Sequence, residues 1–175
     1  MRIVAGSRKG ARIFAPRGRG TRPTSDRVRE AVFAMVGEIE GARVLDLFAG
    51  SGALGLEALS RGASIAVFVE SSRDAVRSIE RNVEKLELSG ARIVRSDAMR
   101  YLAKADERFD VVFVDPPYEL VESLRMPLAE HLPHVLADGG LLVFETAGEI
   151  EPELPLLTRS SRVHGSTRIT VFEAA

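Results

Sequence analysis

From Arg43 onward, apolar residues fall in short near-continuous runs that alternate with helical stripes. The runs RVLDLF (43–48), SIAVFVE (64–70), ARIVRSD (91–97), DVVFVD (110–115) and GLLVFE (140–145) read as strands covered on both faces. Between them, ALGLEALSRG (53–62) and a segment from Ser72 to Leu88 with Val76, Ile79, Val83 and Leu86 on one face read as helices. A short helix is predicted near 98–104 and another within 120–136. Strands alternating with helices predict an α/β domain built on a mostly parallel sheet with right-handed crossovers.

The two ends depart from this rhythm. Residues 2–5 and 11–15 predict a short β-hairpin around GSRKG, followed by a Pro/Gly/Arg loop from Pro16 to Pro23 that is expected to be mobile. Val28, Ala31, Val32, Met35 and Val36 then follow helical spacing, with Thr24 or Ser25 as the cap and Gly37 near the stop. Near the other end, TAGEIEPELPLL contains Pro152 and Pro155 and cannot form a long helix. Two alternating segments around His164-Gly165 predict an antiparallel hairpin that closes the sheet edge, making seven strands in all.

Composition adds three constraints. The 175 residues are 45% hydrophobic and 28% charged, which suits one hydrophobic core. Cysteine is absent, which excludes disulfides and thiolate metal sites. The segment MRIVAGSRKG lacks the apolar core of a signal peptide, and no run approaches the roughly 20 apolar residues of a membrane span, so a cytoplasmic location is expected.

Charge changes the picture most. Net charge is only −1, yet residues 1–30 hold nine bases (Arg2, Arg8, Lys9, Arg12, Arg17, Arg19, Arg22, Arg27 and Arg29) against Asp26 and Glu30. The remainder is correspondingly acidic, with 15 bases against 23 acids. A basic arm over residues 1–23 on an acidic body over 24–175 suits a phosphate-rich partner; the bland alternative is a solvated hairpin.

The candidate chemistry gathers at strand ends. Gly50, Gly52 and Gly55 have G-x-G-x-x-G spacing between the first body strand and a helix, and Glu70 ends the next strand about 20 residues on. Singly, each is an ordinary turn or strand end. Jointly, Asp46, Glu70, Asp97 and Asp115 close four successive strands on one sheet edge, which predicts a cleft for an adenosine-containing ligand.

In DPPY, Pro116-Pro117 hold the exit from the fourth strand extended, so that Asp115 and the Pro116 carbonyl converge as two acceptors. Paired acceptors suit an exocyclic amine, whose delocalised lone pair must be freed for attack, and Tyr118 can stack on a flipped base. The electrophile that fits is the methyl of a sulfonium donor.

DLFAGSGALGLEALSRGA and DPPY resemble the cofactor and catalytic motifs of class I S-adenosylmethionine methyltransferases of the amino-group-modifying type. RPTSDRVREAVF and RIVAGSRKGARI narrow the resemblance to the RsmD family of bacterial 16S rRNA guanine-N2 methyltransferases, and GSTRITVFE carries it almost to the end of the chain. The resemblance implies a Rossmann-like fold and methylation of N2 of guanine 966 in small-subunit rRNA, within an assembling 30S particle, by a monomer. It further implies that Asp46, Phe48, Gly50 and Gly52 line the methionine side of the donor, Glu70 its ribose, and Asp97 and Ala98 its adenine. Asp115, Pro116 and Tyr118 would take the target base, with Thr24 and Arg27 closing the cleft.

Three alternatives stay open on the residues alone. A nicotinamide oxidoreductase shares the glycine loop but has no use for DPPY. Adenine N6 or a glutamine amide would present the same amino group as guanine N2. A non-catalytic RNA-binding domain with a relic cleft would not need an intact Asp115. His131 and His134 are at i, i+3, but Pro133 is expected to break the helix between them, so no metal site is assigned. His164 is expected to be exposed at a turn.

Overall fold

The computed structural model describes residues 1–16 and 25–175. In chain order the elements are α1 (Asp26–Val36), β1 (Arg43–Leu47), α2 (Ala53–Ser60), β2 (Ile65–Glu70), α3 (Arg73–Leu86), β3 (Ala91–Arg95), α4 (Ala98–Leu102), β4 (Phe109–Val114), α5 (Val121–Val135), β5 (Leu136–Ala147), β6 (Leu157–His164) and β7 (Thr167–Glu173). The strands form one seven-stranded sheet in the order β3-β2-β1-β4-β5-β7-β6. β1 to β5 run parallel, and β7 joins β5 and β6 antiparallel, as the strand patterns predict.

Both sheet faces are buried, which explains the unbroken apolar runs. Val44, Phe68, Phe113, Val143 and Ile169 face one cluster; Leu45, Val67, Val112, Val114 and Phe144 face the other. α1 starts at Ser25, whose side chain accepts a hydrogen bond from the Val28 N–H, and stops at Gly37.

Two sequence expectations are corrected. α5 continues through Pro127 and Pro133 to Val135. Its buried stripe, Val121, Leu128, Leu132 and Val135, packs against the sheet, and that burial outweighs the backbone hydrogen bonds the prolines remove. The strand read as GLLVFE (140–145) is longer than expected: β5 runs from Leu136 to Ala147, and its register against β4 shifts from Phe109↔Leu136 to Val111↔Leu141. The glycines sit in that irregularity, with Gly139 at φ 69°.

The N-terminal hairpin is reduced to a single antiparallel bridge, Arg2↔Arg12, because the body claims its remaining donors. The buried Glu57 carboxylate on α2 accepts the Val4 and Ala5 N–H groups at 2.7 and 2.8 Å. Asn82 on α3 accepts the Phe14 N–H at 2.7 Å and donates to the Phe14 carbonyl at 2.9 Å. Ile3 and Ile13 thereby enter the same core cluster as Val32 and Phe33, and α2 is buried along its whole length.

Candidate active site

The chain leaves β1 toward β2 and β3 on one side and returns as β4 and β5 on the other. Ligands in open α/β sheets bind outside the carboxyl ends at such a switch point. There a cleft of about 620 Å³ opens, lined by Asp46, Phe48, Gly50, Glu70, Asp97, Asp115, Pro116 and Tyr118 among others. That volume suits a ligand of nucleoside size.

The loop after β1 forms one wall. Phe48 at φ 58° and Gly50 at φ 55° are both left-handed, unusual for a bulky side chain such as Phe48. The three glycines act differently. A Cβ on Gly50 would meet nothing nearer than the Phe48 carbonyl at 3.9 Å, so Gly50 borders open cleft. A Cβ on Gly52 would touch Ile79 and Phe68 at 3.2 Å, and one on Gly55 would come 2.3 Å from the Phe68 ring. Gly52 therefore lies beneath the loop against the core, and Gly52 and Gly55 serve the close approach of α2 to β2.

Carboxylates organise this wall. Glu70 accepts the Gly50 N–H at 2.9 Å on one oxygen and the Ser72 N–H at 2.8 Å on the other, clamping the loop to the start of α3. Asp46 is 2% exposed and accepts the Gly55 N–H at 2.9 Å. Burial pushes its carboxyl well above the usual range against the pull of that hydrogen bond, and the charges of Asp115 and Glu70 push the same way. Asp97 lines the cleft while capping α4 through the Arg100 N–H at 3.0 Å; Ala98 is buried in the core behind it.

The opposite wall comes from the exit of β4. Asp115 follows Val114 and is half-buried, and Pro116 is buried. The Pro117 carbonyl accepts the Leu120 N–H at 2.9 Å and so closes the 3-10 turn Tyr118–Leu120. The Tyr118 hydroxyl lies 3.2 Å from Thr167 Oγ1, which ties the DPPY segment to β7.

Sequence reasoning missed several residues here. Ser25, the cap of α1, and Val28 within it line the cleft, while Arg27 is exposed outside it. Glu145, near the end of β5, also lines it; a fifth acid closing an apolar run was the signal. His164 ends β6 half-buried rather than exposed, with Nε2 buried and without a hydrogen-bond partner among the described residues, because the hairpin folds its ring toward the cleft.

The basic arm is divided by its contacts. Arg2, Lys9, Arg12 and Arg27 are exposed, although Arg2 pairs with Asp26 at 3.1 Å. Arg8 donates to the Leu86 and Glu87 carbonyls at the end of α3. Arg81 and Lys85 of α3 stand 3.6 and 4.8 Å over the Phe14 ring and extend the basic surface onto the body. Arg17, Arg19, Arg22 and Thr24, with nearly all of the Pro16–Pro23 loop, lie outside the described residues.

The family model described as Conserved hypothetical protein 95 matches residues 1–173. The Escherichia coli K12 protein named Ribosomal RNA small subunit methyltransferase D is 39% identical over 169 residues, covering 94% of this chain and 82% of that one. The chain belongs to the RsmD family. The Bacillus subtilis member YlbH is 38% identical across 99% of this chain and 98% of its own. The solved structure of yhhF from Escherichia coli superposes on this RsmD-family chain with a TM-score of 0.85 at 36% identity, covering 99% and 97% of the two chains. The fold is accordingly that of the class I methyltransferases.

Proposed function

We propose that this RsmD-family protein is an S-adenosylmethionine-dependent rRNA methyltransferase acting on the exocyclic N2 amine of a guanine in 16S rRNA. Guanine 966 is the position that the family resemblance implies. The observation that carries the reading is the meeting of two walls in one cleft: a loop clamped by Glu70, and a DPPY exit whose Asp115 faces the same space.

The residues present fit the donor. Gly50 leaves open space at the loop, Glu70 and Asp97 offer carboxylates where ribose and adenine groups need acceptors, and Asp46, whose burial favours the neutral form, is a counter-charge that a neighbouring cationic sulfur would draw out. A bound donor would supply an electrophilic methyl, with its thioether as the leaving group.

The remaining work falls to this chain. Asp115 and the Pro116 carbonyl accept the two N–H groups of the amine, directing its lone pair out of the ring plane. The Asp115 carboxylate stabilises the positive charge that grows on nitrogen until a proton is lost. Tyr118, braced by Thr167, stacks on the flipped base. Residues 1–23, with Arg27 and the adjoining Arg81 and Lys85, contact rRNA phosphates. A monomer acting in the cytoplasm on a partly assembled 30S particle is the working arrangement.

The test is incubation with labelled S-adenosylmethionine and either free 16S rRNA or partly assembled 30S particles, followed by mapping of the modified nucleotide. Label on N2 of one small-subunit guanine is expected. Label confined to adenine N6 or protein, or none with either substrate, would contradict the reading.

A further inference from the structure

Asp115 alone does not tell guanine from adenine, since both bases present an amine to a carboxylate. Discrimination must come from the ring atom beside that amine. In guanine the neighbour of the N2 amine is N1–H, a donor; in adenine and cytosine the ring nitrogen beside the amine is a bare acceptor. A reader of guanine therefore needs a second acceptor next to the one that holds the amine.

β5 supplies one. It pairs in parallel with β4 at Val114↔Phe144, so the next residues, Asp115 and Glu145, are neighbours across strands about 4.8 Å apart. Val114 and Phe144 share one core cluster. The pleat turns Glu145 to the other face, where its cross-strand partner Ile169 and its neighbour Val143 lie. Glu145 is 8% exposed and lines the same cleft as Asp115. His164, whose buried Nε2 has no hydrogen-bond partner among the described residues, stands in the same cleft and marks this end as one that takes a polar ligand.

We infer that Glu145 is the residue that makes the site specific for guanine, by accepting the N1–H of the target base beside the amine held at Asp115. The inference rests on the methyltransferase reading above and deepens it. An adenine or cytosine in the same place would set a ring-nitrogen lone pair against the Glu145 carboxylate, and a glutamine side chain has no second donor at that position.

The test uses 2-aminopurine, which keeps the amine of guanine but carries a bare N1. Single-turnover methylation is measured on 30S particles whose rRNA has guanine or 2-aminopurine at the modified position, with the wild type and Glu145→Gln. The wild type should prefer guanine by roughly 10- to 100-fold, the range of a bidentate base contact. Glu145→Gln, whose amide can accept from N1–H or donate to bare N1, should shrink that preference at least several-fold. Its donor affinity and melting temperature serve as checks on the fold.

Equal wild-type rates on the two bases would overturn the Glu145 assignment while leaving the methyltransferase reading intact, and this arm needs no variant to fold. An unchanged preference in a folded Glu145→Gln would do the same. Failure of the wild type on both bases would overturn the methyltransferase reading and the inference with it.

Discussion

Asp46 carries a strongly perturbed carboxyl in the cleft, so it gives the site a pH dependence whose sign can be worked out. Its folded pKa is raised above its unfolded value, first by burial. Its contribution to stability is therefore complete below the unfolded pKa and is lost as pH rises through the folded one. Asp46→Asn keeps an acceptor for the Gly55 N–H and removes the charge. The melting temperature of this variant relative to wild type should climb as pH rises across that window; a constant difference would contradict the titration. A cationic donor beside Asp46 favours the ionised form, so wild-type donor affinity should also rise through the same window and that of Asp46→Asn should stay flat.

Glycine positions separate in a comparable way. Gly55→Ala forces a Cβ into the Phe68 ring and should cost about 1–3 kcal/mol of stability, typical of overpacking, measured by urea unfolding. Wild-type stability would mean that α2 can shift off β2 at no cost.

At the scale of elements, Asn82 joins three pieces: α3, the arm through Phe14, and the glycine loop through a hydrogen bond to the Ser51 carbonyl at 3.1 Å. Asn82→Ala should leave the part-buried Phe14 N–H and carbonyl without their protein partner, at about 1 kcal/mol each, the scale of one net hydrogen bond. Faster hydrogen exchange or proteolysis at residues 11–16 with weakened donor binding is expected; an unaltered arm would remove Asn82 as the junction.

Much of this layer was legible in the chain. Apolar runs ending in Glu70, Asp97 and Asp115 locate the functional edge because a carboxylate cannot end a buried strand except where the sheet meets solvent or a ligand; Asp46, expected to close its strand too, instead lies buried inside β1, one residue before its end. What was not legible depended on partners distant in sequence. Nothing local to Pro127 and Pro133 shows that sheet burial will hold α5 together, nothing near His164 shows that the hairpin tips it into the cleft, and Gly52 reads as a cleft residue until Phe68 and Ile79 are seen beneath it. Glu145 was readable by the same rule as the other four acids, but only pairing with β4 sets it beside Asp115.

Over the whole molecule, the proposed role of the basic arm on an acidic body is to orient the protein on a polyanion. Charge reversal at Lys9 and Arg12, both exposed, should lower rRNA affinity and reduce the slope of log affinity against log salt by roughly 0.7–0.9 per lost phosphate contact, with donor binding unchanged. Arg8→Glu should differ, lowering the melting temperature as well, since Arg8 caps the end of α3. An unchanged salt slope for the Lys9/Arg12 variant would make the arm a structural element alone.

The acidic body and its cleft meet in the chemistry at Asp115. Asp115→Ala removes the proposed amine acceptor while the Glu70 clamp on Gly50 and the arm contacts at Glu57 and Asn82 remain. Single-turnover methyl transfer at saturating donor and rRNA is the direct measurement. The account predicts a fall of about 10²–10³-fold with donor and rRNA affinities retained, the scale for losing one preorganised electrostatic partner. Transfer by Asp115→Ala at the wild-type rate would contradict it.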